Sequence, residues 1–110
     1  MNGTTNQLFE TIRKITAVLD GYSRLDRQLE VVMRIGKLSQ ETGEVHEALA
    51  GAIGQNPRKG LDPEGWTKVQ KELCDVIFTA LVALETVSED AEAMFAERLA
   101  YIADRTLSLA

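Results

Sequence analysis

Two acidic pairs have the residue types and the spacing for metal chemistry. Glu41 and Glu44 lie in the stretch QETGE, and Glu72 and Asp75 lie in ELCD. On a helix that turns about 100° per residue, Glu41 falls inside the arc of apolar side chains and Glu44 at its edge. Glu72 borders a second apolar stripe, and Asp75 lies one turn further along. Each pair therefore flanks a helix face that is expected to be packed.

Carboxylates that converge beside an apolar core repel one another, because partial burial strengthens Coulomb repulsion and disfavours the ionised forms. A positive charge among them would remove that cost. Oxygen ligands without histidine or cysteine are typical of Mg²⁺, with Mn²⁺ as a possible substitute. The pattern favours a metal site at Glu41, Glu44, Glu72 and Asp75.

A solvated helix surface is the alternative interpretation of these acids. The same three-residue spacing occurs at Glu44 and Glu47, and again at Glu89 and Glu92. Pairs of this kind often face water without binding a metal. Spacing alone does not separate the two interpretations, and the apolar flanks of the two pairs are what favour the metal site.

The order of the two acidic motifs resembles a known enzyme family. QETGE followed by ELCD is similar to the ExxE and ExxD signature of the MazG-like, all-α nucleoside triphosphate pyrophosphohydrolases, and the match covers residues 37–84. The resemblance implies that Glu41, Glu44, Glu72 and Asp75 bind Mg²⁺. It also implies hydrolysis of a nucleoside triphosphate to the monophosphate and pyrophosphate. Gln40 departs from the pattern, since many family members carry a further glutamate there.

In such a reaction a carboxylate that the metal does not fully use can take the proton of the attacking water. We expect Glu41 or Glu44 to act as this catalytic base. One competing hypothesis is a non-enzymatic helical module for dimerisation or protein interaction, which predicts no affinity for divalent metals. Another is a relative that binds nucleotides without turnover, for which Gln40 is the only indication.

Four basic residues are candidates for binding the phosphates of the substrate. Arg34 and Lys37 precede Glu41 by seven and four residues, so both lie near its stripe on a helix. Arg98 and Arg105 lie two turns apart near the carboxyl end of the chain. For Arg34 and Lys37 the alternative is an ordinary helix ion pair, Arg34 with Glu30 and Lys37 with Glu41.

Composition predicts a single domain, residues 1–110, with a formal charge of −5. This charge argues against stable nucleic-acid binding, which requires a basic face. The single cysteine, Cys74, excludes an intramolecular disulfide and is typical of a reducing compartment. No apolar run approaches the roughly 20 residues of a membrane span, and the first residues do not resemble a signal peptide. We expect a cytoplasmic protein without membrane contact.

Apolar periodicity predicts an all-α, four-helix bundle-like protomer. Gly21 is expected to end the first helix, while Asp62 and Ser88 are expected to cap the third and fourth. The inner face of the fourth helix would include Phe95 and Leu99. The first, third and fourth helices are expected at about residues 5–19, 63–87 and 89–107, and the second is expected to begin between residues 23 and 26 and to end at about residue 53.

The third helix is apolar almost all round between residues 76 and 84. Leu73 and Leu84 mark the side expected to face the core, whereas Phe78 and Val82 lie on roughly the opposite side. When a helix in so small a protein is apolar on every face, the pattern predicts a partner chain. We therefore expect a homodimer or homotetramer.

Overall fold

The computed structural model describes residues 3–110, with side chains from residue 7 onward, and every regular element in this range is an α-helix. The all-α prediction is confirmed. The bounds of the helices are α1 Gly3–Tyr22, α2 Arg27–Ile53, α3 Trp66–Val87 and α4 Ala91–Leu107. None of the described helices is long and apolar enough to cross a membrane.

The first helix ends three residues later than predicted, since α1 continues through Gly21 to Tyr22. Asp26 then caps α2, and its side chain accepts a hydrogen bond from the backbone N–H of Leu29. Gly54 ends α2 in the left-handed conformation, where a residue without a Cβ is favoured. The end of α2 at Ile53 agrees with the prediction.

The prediction that Asp62 caps the third helix is wrong. Residues 63–65 form a separate turn, in which Asp62 accepts hydrogen bonds from the backbone N–H groups of Glu64 and Gly65. Gly65 has a positive φ of 56°, which breaks the helical conformation, so α3 begins at Trp66.

The fourth helix is capped by Asp90 rather than by Ser88. The Asp90 carboxylate accepts a hydrogen bond from the backbone N–H of Ala93, and α4 begins at Ala91. Ser88 instead follows the last residue of α3, in an extended conformation.

Helices α2 and α3 form an antiparallel pair. Two contacts along the pair establish the direction: Arg34 with Thr86, and the carboxylates of Glu41 and Asp75. Near the end of α2, the carbonyl of Gly51 accepts a hydrogen bond from the backbone N–H of Asp62, which precedes α3. Helix α1 packs against α3, and a small core forms where α1, α3 and the start of α4 meet. The buried members of this core are Phe9, Ile12, Leu81 and Ala91.

Two predictions about buried faces are wrong. On α3, Val82 is only 5% exposed and Leu73 is 47% exposed, both contrary to the prediction, whereas Leu84 packs against the core as predicted. On α4, Ala91 is buried, but Phe95, Leu99 and Ile102 remain 37–52% exposed. The fourth helix packs mainly through its first turns, where Phe95 meets Phe9 and Glu92 pairs with Arg13.

The protomer is therefore more open than a closed four-helix bundle. Its radius of gyration is 17.2 Å, whereas a compact chain of this length has about 13 Å. The three principal extents are 48, 47 and 24 Å, which describe a flattened shape.

Candidate metal centre and adjoining pocket

Antiparallel packing of α2 on α3 brings three of the four predicted acids together. Glu41, Glu72 and Asp75 each offer one carboxylate oxygen, and these three atoms lie within 4.8 Å of one another. Glu41 is buried, Glu72 is half-buried and Asp75 is exposed. The cluster therefore extends from the helix interface to solvent.

Glu44 lies beside this cluster but is not one of its three members. Its carboxylate is within hydrogen-bonding reach of Glu41. One turn separates the two residues on α2, and Glu44 is half-buried. The structure thus places Glu44 next to the buried acid and leaves it outside the group that could share one cation.

The pKa of Glu41 is raised above its ordinary value of 4.5. Burial is the largest cause, because removal from water penalises the ionised carboxylate. The negative charges of Glu44 and Asp75 raise the pKa further, and the positive charge of Lys37 opposes them. The protein therefore holds Glu41 where an additional cation would relieve both burial and repulsion.

The donor set fits Mg²⁺ or Mn²⁺. All three clustered donors are carboxylates, and no histidine or cysteine belongs to the group. Mg²⁺ usually retains several waters and uses only a few protein carboxylates together with substrate phosphates. Asp75, at the exposed edge, leaves the cluster accessible from solvent.

Arg34 forms an ion pair with Glu30, which was the alternative to a phosphate-binding role. Its Nε lies 2.6 Å from Glu30, and its Nη1 lies 2.8 Å from Asp20 of α1. Nη1 also donates to the Thr86 hydroxyl of α3 at 2.9 Å. At 8% exposure, Arg34 ties three helices together. Its role in substrate binding stays a prediction.

The other predicted phosphate-binding residues have different surroundings. Lys37 is exposed, and its charge acts on Glu41 without a direct ion pair between them in the described structure. The guanidinium groups of Arg98 and Arg105 lie 4.7 and 5.4 Å from the ring centre of Tyr101. The contact of both arginines with a triphosphate stays a prediction.

A pocket of about 430 Å³ lies at the junction of α1, α2 and α3. Its walls include Ile15 and Leu19 of α1, Arg34 and Lys37 of α2, and Phe78 and Thr79 of α3. Sequence patterns did not indicate this pocket, because its walls come from helices whose relative positions they do not determine. The one available signal was Thr79, a hydroxyl within the apolar run of α3.

Comparison with protein-family models, with curated proteins and with solved structures finds no match to this chain.

Proposed function

We propose that this protein is a Mg²⁺-dependent hydrolase that converts a nucleoside triphosphate to the monophosphate and pyrophosphate. The observation that carries the proposal is the cluster of Glu41, Glu72 and Asp75, which come from two helices and extend from the buried helix interface to solvent. The resemblance of QETGE and ELCD to the MazG-like motifs supplies the reaction class. Housekeeping of the nucleotide pool is the expected role.

Within this proposal, Glu41, Glu72 and Asp75 hold the metal, with Glu44 beside them. Bound Mg²⁺ would neutralise phosphate oxygens and acidify water, which is the chemistry that this hydrolysis requires. Glu44 is the better candidate for the base, because it lies next to Glu41 but outside the group of three. A base must keep a lone pair that is not consumed by the metal.

The second part of the proposal is that the functional unit is a homo-oligomer. The accessible surface of the chain is 8310 Å², whereas a compact monomer of this mass exposes about 6,000 Å². The excess of roughly 2,300 Å² per chain is comparable to the area that each subunit of a large homodimer buries. The face of α4 formed by Phe95, Leu99 and Ile102 is the best candidate interface, because these exposed residues share one helical stripe.

A cytoplasmic location accords with this role. The thiol of Cys74 is free and exposed, as is usual for proteins of a reducing compartment.

A panel of canonical and modified ribonucleoside and deoxyribonucleoside triphosphates tests the reaction. Each is incubated with the protein and Mg²⁺, Mn²⁺ or a chelator, and the products are separated by chromatography. We expect monophosphate and pyrophosphate in equal amounts, and only when metal is present. Absence of turnover with every triphosphate would contradict the proposal.

The second candidate function is a helical interaction module without catalysis. The open shape and the exposed stripe of α4 favour it, because a self-associating module needs nothing more than such a surface. It predicts self-association without divalent-metal affinity. Mg²⁺ titration of the assembled protein separates the two functions.

A further inference from the structure

A second apolar stripe lies exposed on α3. Trp66, Leu73 and Ile77 share one face of this helix, because steps of seven and four residues return a side chain to nearly the same direction. Trp66 is 55% exposed and Ile77 is 59% exposed. Gln70 lies between them on the same face and is exposed as well. We call these four positions the α3 stripe; they form a largely apolar surface along the first half of the helix.

The α3 stripe continues a face that is packed further along the helix. Leu84, seven residues beyond Ile77, packs against the core that Leu81 forms with Phe9 and Ile12 of α1. A helix face that is meant for water carries charged and polar residues instead. The α3 stripe is therefore the uncovered half of a packing surface.

Helix α4 of the same chain does not cover the α3 stripe. Its first turns are fixed against α1, where the rings of Phe95 and Phe9 lie 6.1 Å apart and Glu92 lies 3.7 Å from Arg13. Beyond Glu92, every residue of α4 except Ala103 is exposed. The helix thus projects from the rest of the protomer and carries its own apolar stripe, formed by Phe95, Leu99 and Ile102, into solvent.

The two stripes match in spacing and in length. The α3 stripe occupies positions 66, 70, 73 and 77, and the α4 stripe occupies 95, 99 and 102, with Thr106 next in line. Both follow steps of four, three and four residues, which is the spacing of helices that pack side by side at a small crossing angle. Each set of four positions extends about 16 Å along its helix.

We propose that α4 of a second copy of this chain packs on the α3 stripe, and that α4 of the first copy packs on α3 of the second in return. The inference rests on the homo-oligomer part of the proposed function and specifies its contact, and it does not depend on the hydrolysis. Each chain supplies one stripe of each kind, so a twofold axis closes the exchange into a dimer.

The exposed surface of the chain favours this exchange over a pairing of two α4 helices. An α4 pair would leave Trp66, Leu73 and Ile77 in solvent, and an apolar patch of this kind is unusual on a soluble protein. The exchange covers both stripes of both chains. It thereby accounts for more of the surface excess of roughly 2,300 Å² per chain.

Two single variants and their mixture test the exchange. Ile77→Glu places a negative charge in the α3 stripe, and Leu99→Lys places a positive charge in the α4 stripe. Each variant alone should sediment as a 12.1 kDa chain, because both contacts of its dimer would bury a charge against apolar residues. The wild type should sediment at no less than twice that mass.

An equal mixture of the two variants should recover the dimer. In a mixed pair, one contact joins the two introduced charges of opposite sign, and the other contact has the wild-type residues on both sides. With one variant labelled with ¹⁵N, native mass spectrometry should find one chain of each kind in the recovered species.

Thr67→Glu is the matched control, because it places the same charge on α3 at an exposed position about 100° away from Trp66. This variant should sediment as the wild type does. Ile77 is exposed, so its replacement is compatible with folding, which circular dichroism checks for every variant.

An Ile77→Glu variant that associates as the wild type does would overturn the exchange, and loss of association in Leu99→Lys alone would then retain only the α4 interface. Two monomeric variants that do not associate when mixed would also overturn it. A wild-type chain that sediments as a monomer would reject the exchange together with the homo-oligomer. Hydrolysis of a triphosphate by such a monomer would retain the proposed reaction.

Discussion

Glu41 of α2 and Asp75 of α3 each present a carboxylate oxygen within 4.8 Å of the other, with Glu72 completing the group. Two like charges at this separation repel each other, more strongly where one of them is buried. Burial is the main reason that the pKa of Glu41 is raised, and the negative charges of Glu44 and Asp75 raise it further. A bound cation would relieve both effects. The proposed metal affinity and the expected metal-free instability would thus have the same origin.

Metal-free stability should depend on pH through Glu41. In the folded protein the pKa of Glu41 is raised above its ordinary value of 4.5. The stability that protonated Glu41 contributes is therefore fully present at pH values below the pKa of the unfolded chain, and it is lost as the pH rises through the pKa of the folded protein. Glu41→Gln removes the ionisation, and in a chelator the variant should unfold at a higher temperature than wild type at pH 7. The two should converge towards pH 4.5.

Thermal unfolding followed by circular dichroism between pH 4.5 and 8 measures this difference. Glu47→Gln, an exposed glutamate on the same helix, serves as the control and should behave as wild type. A Glu41→Gln variant that is less stable than wild type at neutral pH without metal would contradict the explanation.

Mg²⁺ should stabilise the folded protein. A ligand that binds only the folded state adds about 2.7 kcal/mol at 100 times its dissociation constant. Glu72→Gln keeps the shape but removes one charge of the cluster, so both the calorimetric affinity and the thermal shift should fall sharply. Glu89→Gln, exposed and outside the cluster, should retain both. Equal Mg²⁺ affinity in wild type and Glu72→Gln would reject the site.

Arg34→Met should cost about 3 kcal/mol of unfolding free energy, because it leaves Glu30 and Asp20 without their shared cation. Arg27 provides a matched control, since it also contacts Asp20 and α3 but from an exposed position. Arg27→Met should cost less than about 1 kcal/mol. Chemical denaturation measures both values, and equal costs would contradict the structural role assigned to Arg34.

Self-association through α4 should be lost in Leu99→Lys, because the new charge lies in the centre of the stripe between Phe95 and Ile102. Sedimentation should then detect a species of 12.1 kDa in place of a larger one. Met94→Lys places the same charge on another face of the helix and should leave the assembly intact. A wild-type chain that sediments as a stable 12.1 kDa monomer would exclude this interface.

Helical periodicity predicted the local structure better than the packing. Glu41 was placed correctly at a buried position, because it replaces an apolar residue within the stripe of an amphipathic helix. The choice between Leu73 and Val82 failed because α3 is apolar on both sides, and only the contact with α1 determines which side is buried. The sequence favoured Asp62 as the N-cap of the third helix, but Gly65 has a positive φ and α3 begins only at Trp66.

The acids of the candidate site were predictable from spacing, since residues three apart share a helix face. The exclusion of Glu44 from the group of three was not predictable from the sequence, because it depends on the rotation of α2 against α3. The pocket beside Phe78 required the position of a third helix, which no local pattern of residues supplies.

Product analysis of a single triphosphate with wild type and Glu44→Gln tests the central claim most directly. Monophosphate, pyrophosphate and orthophosphate are quantified over time in the presence of Mg²⁺. Wild type should release monophosphate and pyrophosphate in equal amounts, and loss of the base should lower the rate about 100- to 10,000-fold without changing the helical circular dichroism. Orthophosphate as the primary product, or full activity of Glu44→Gln, would contradict the proposed reaction.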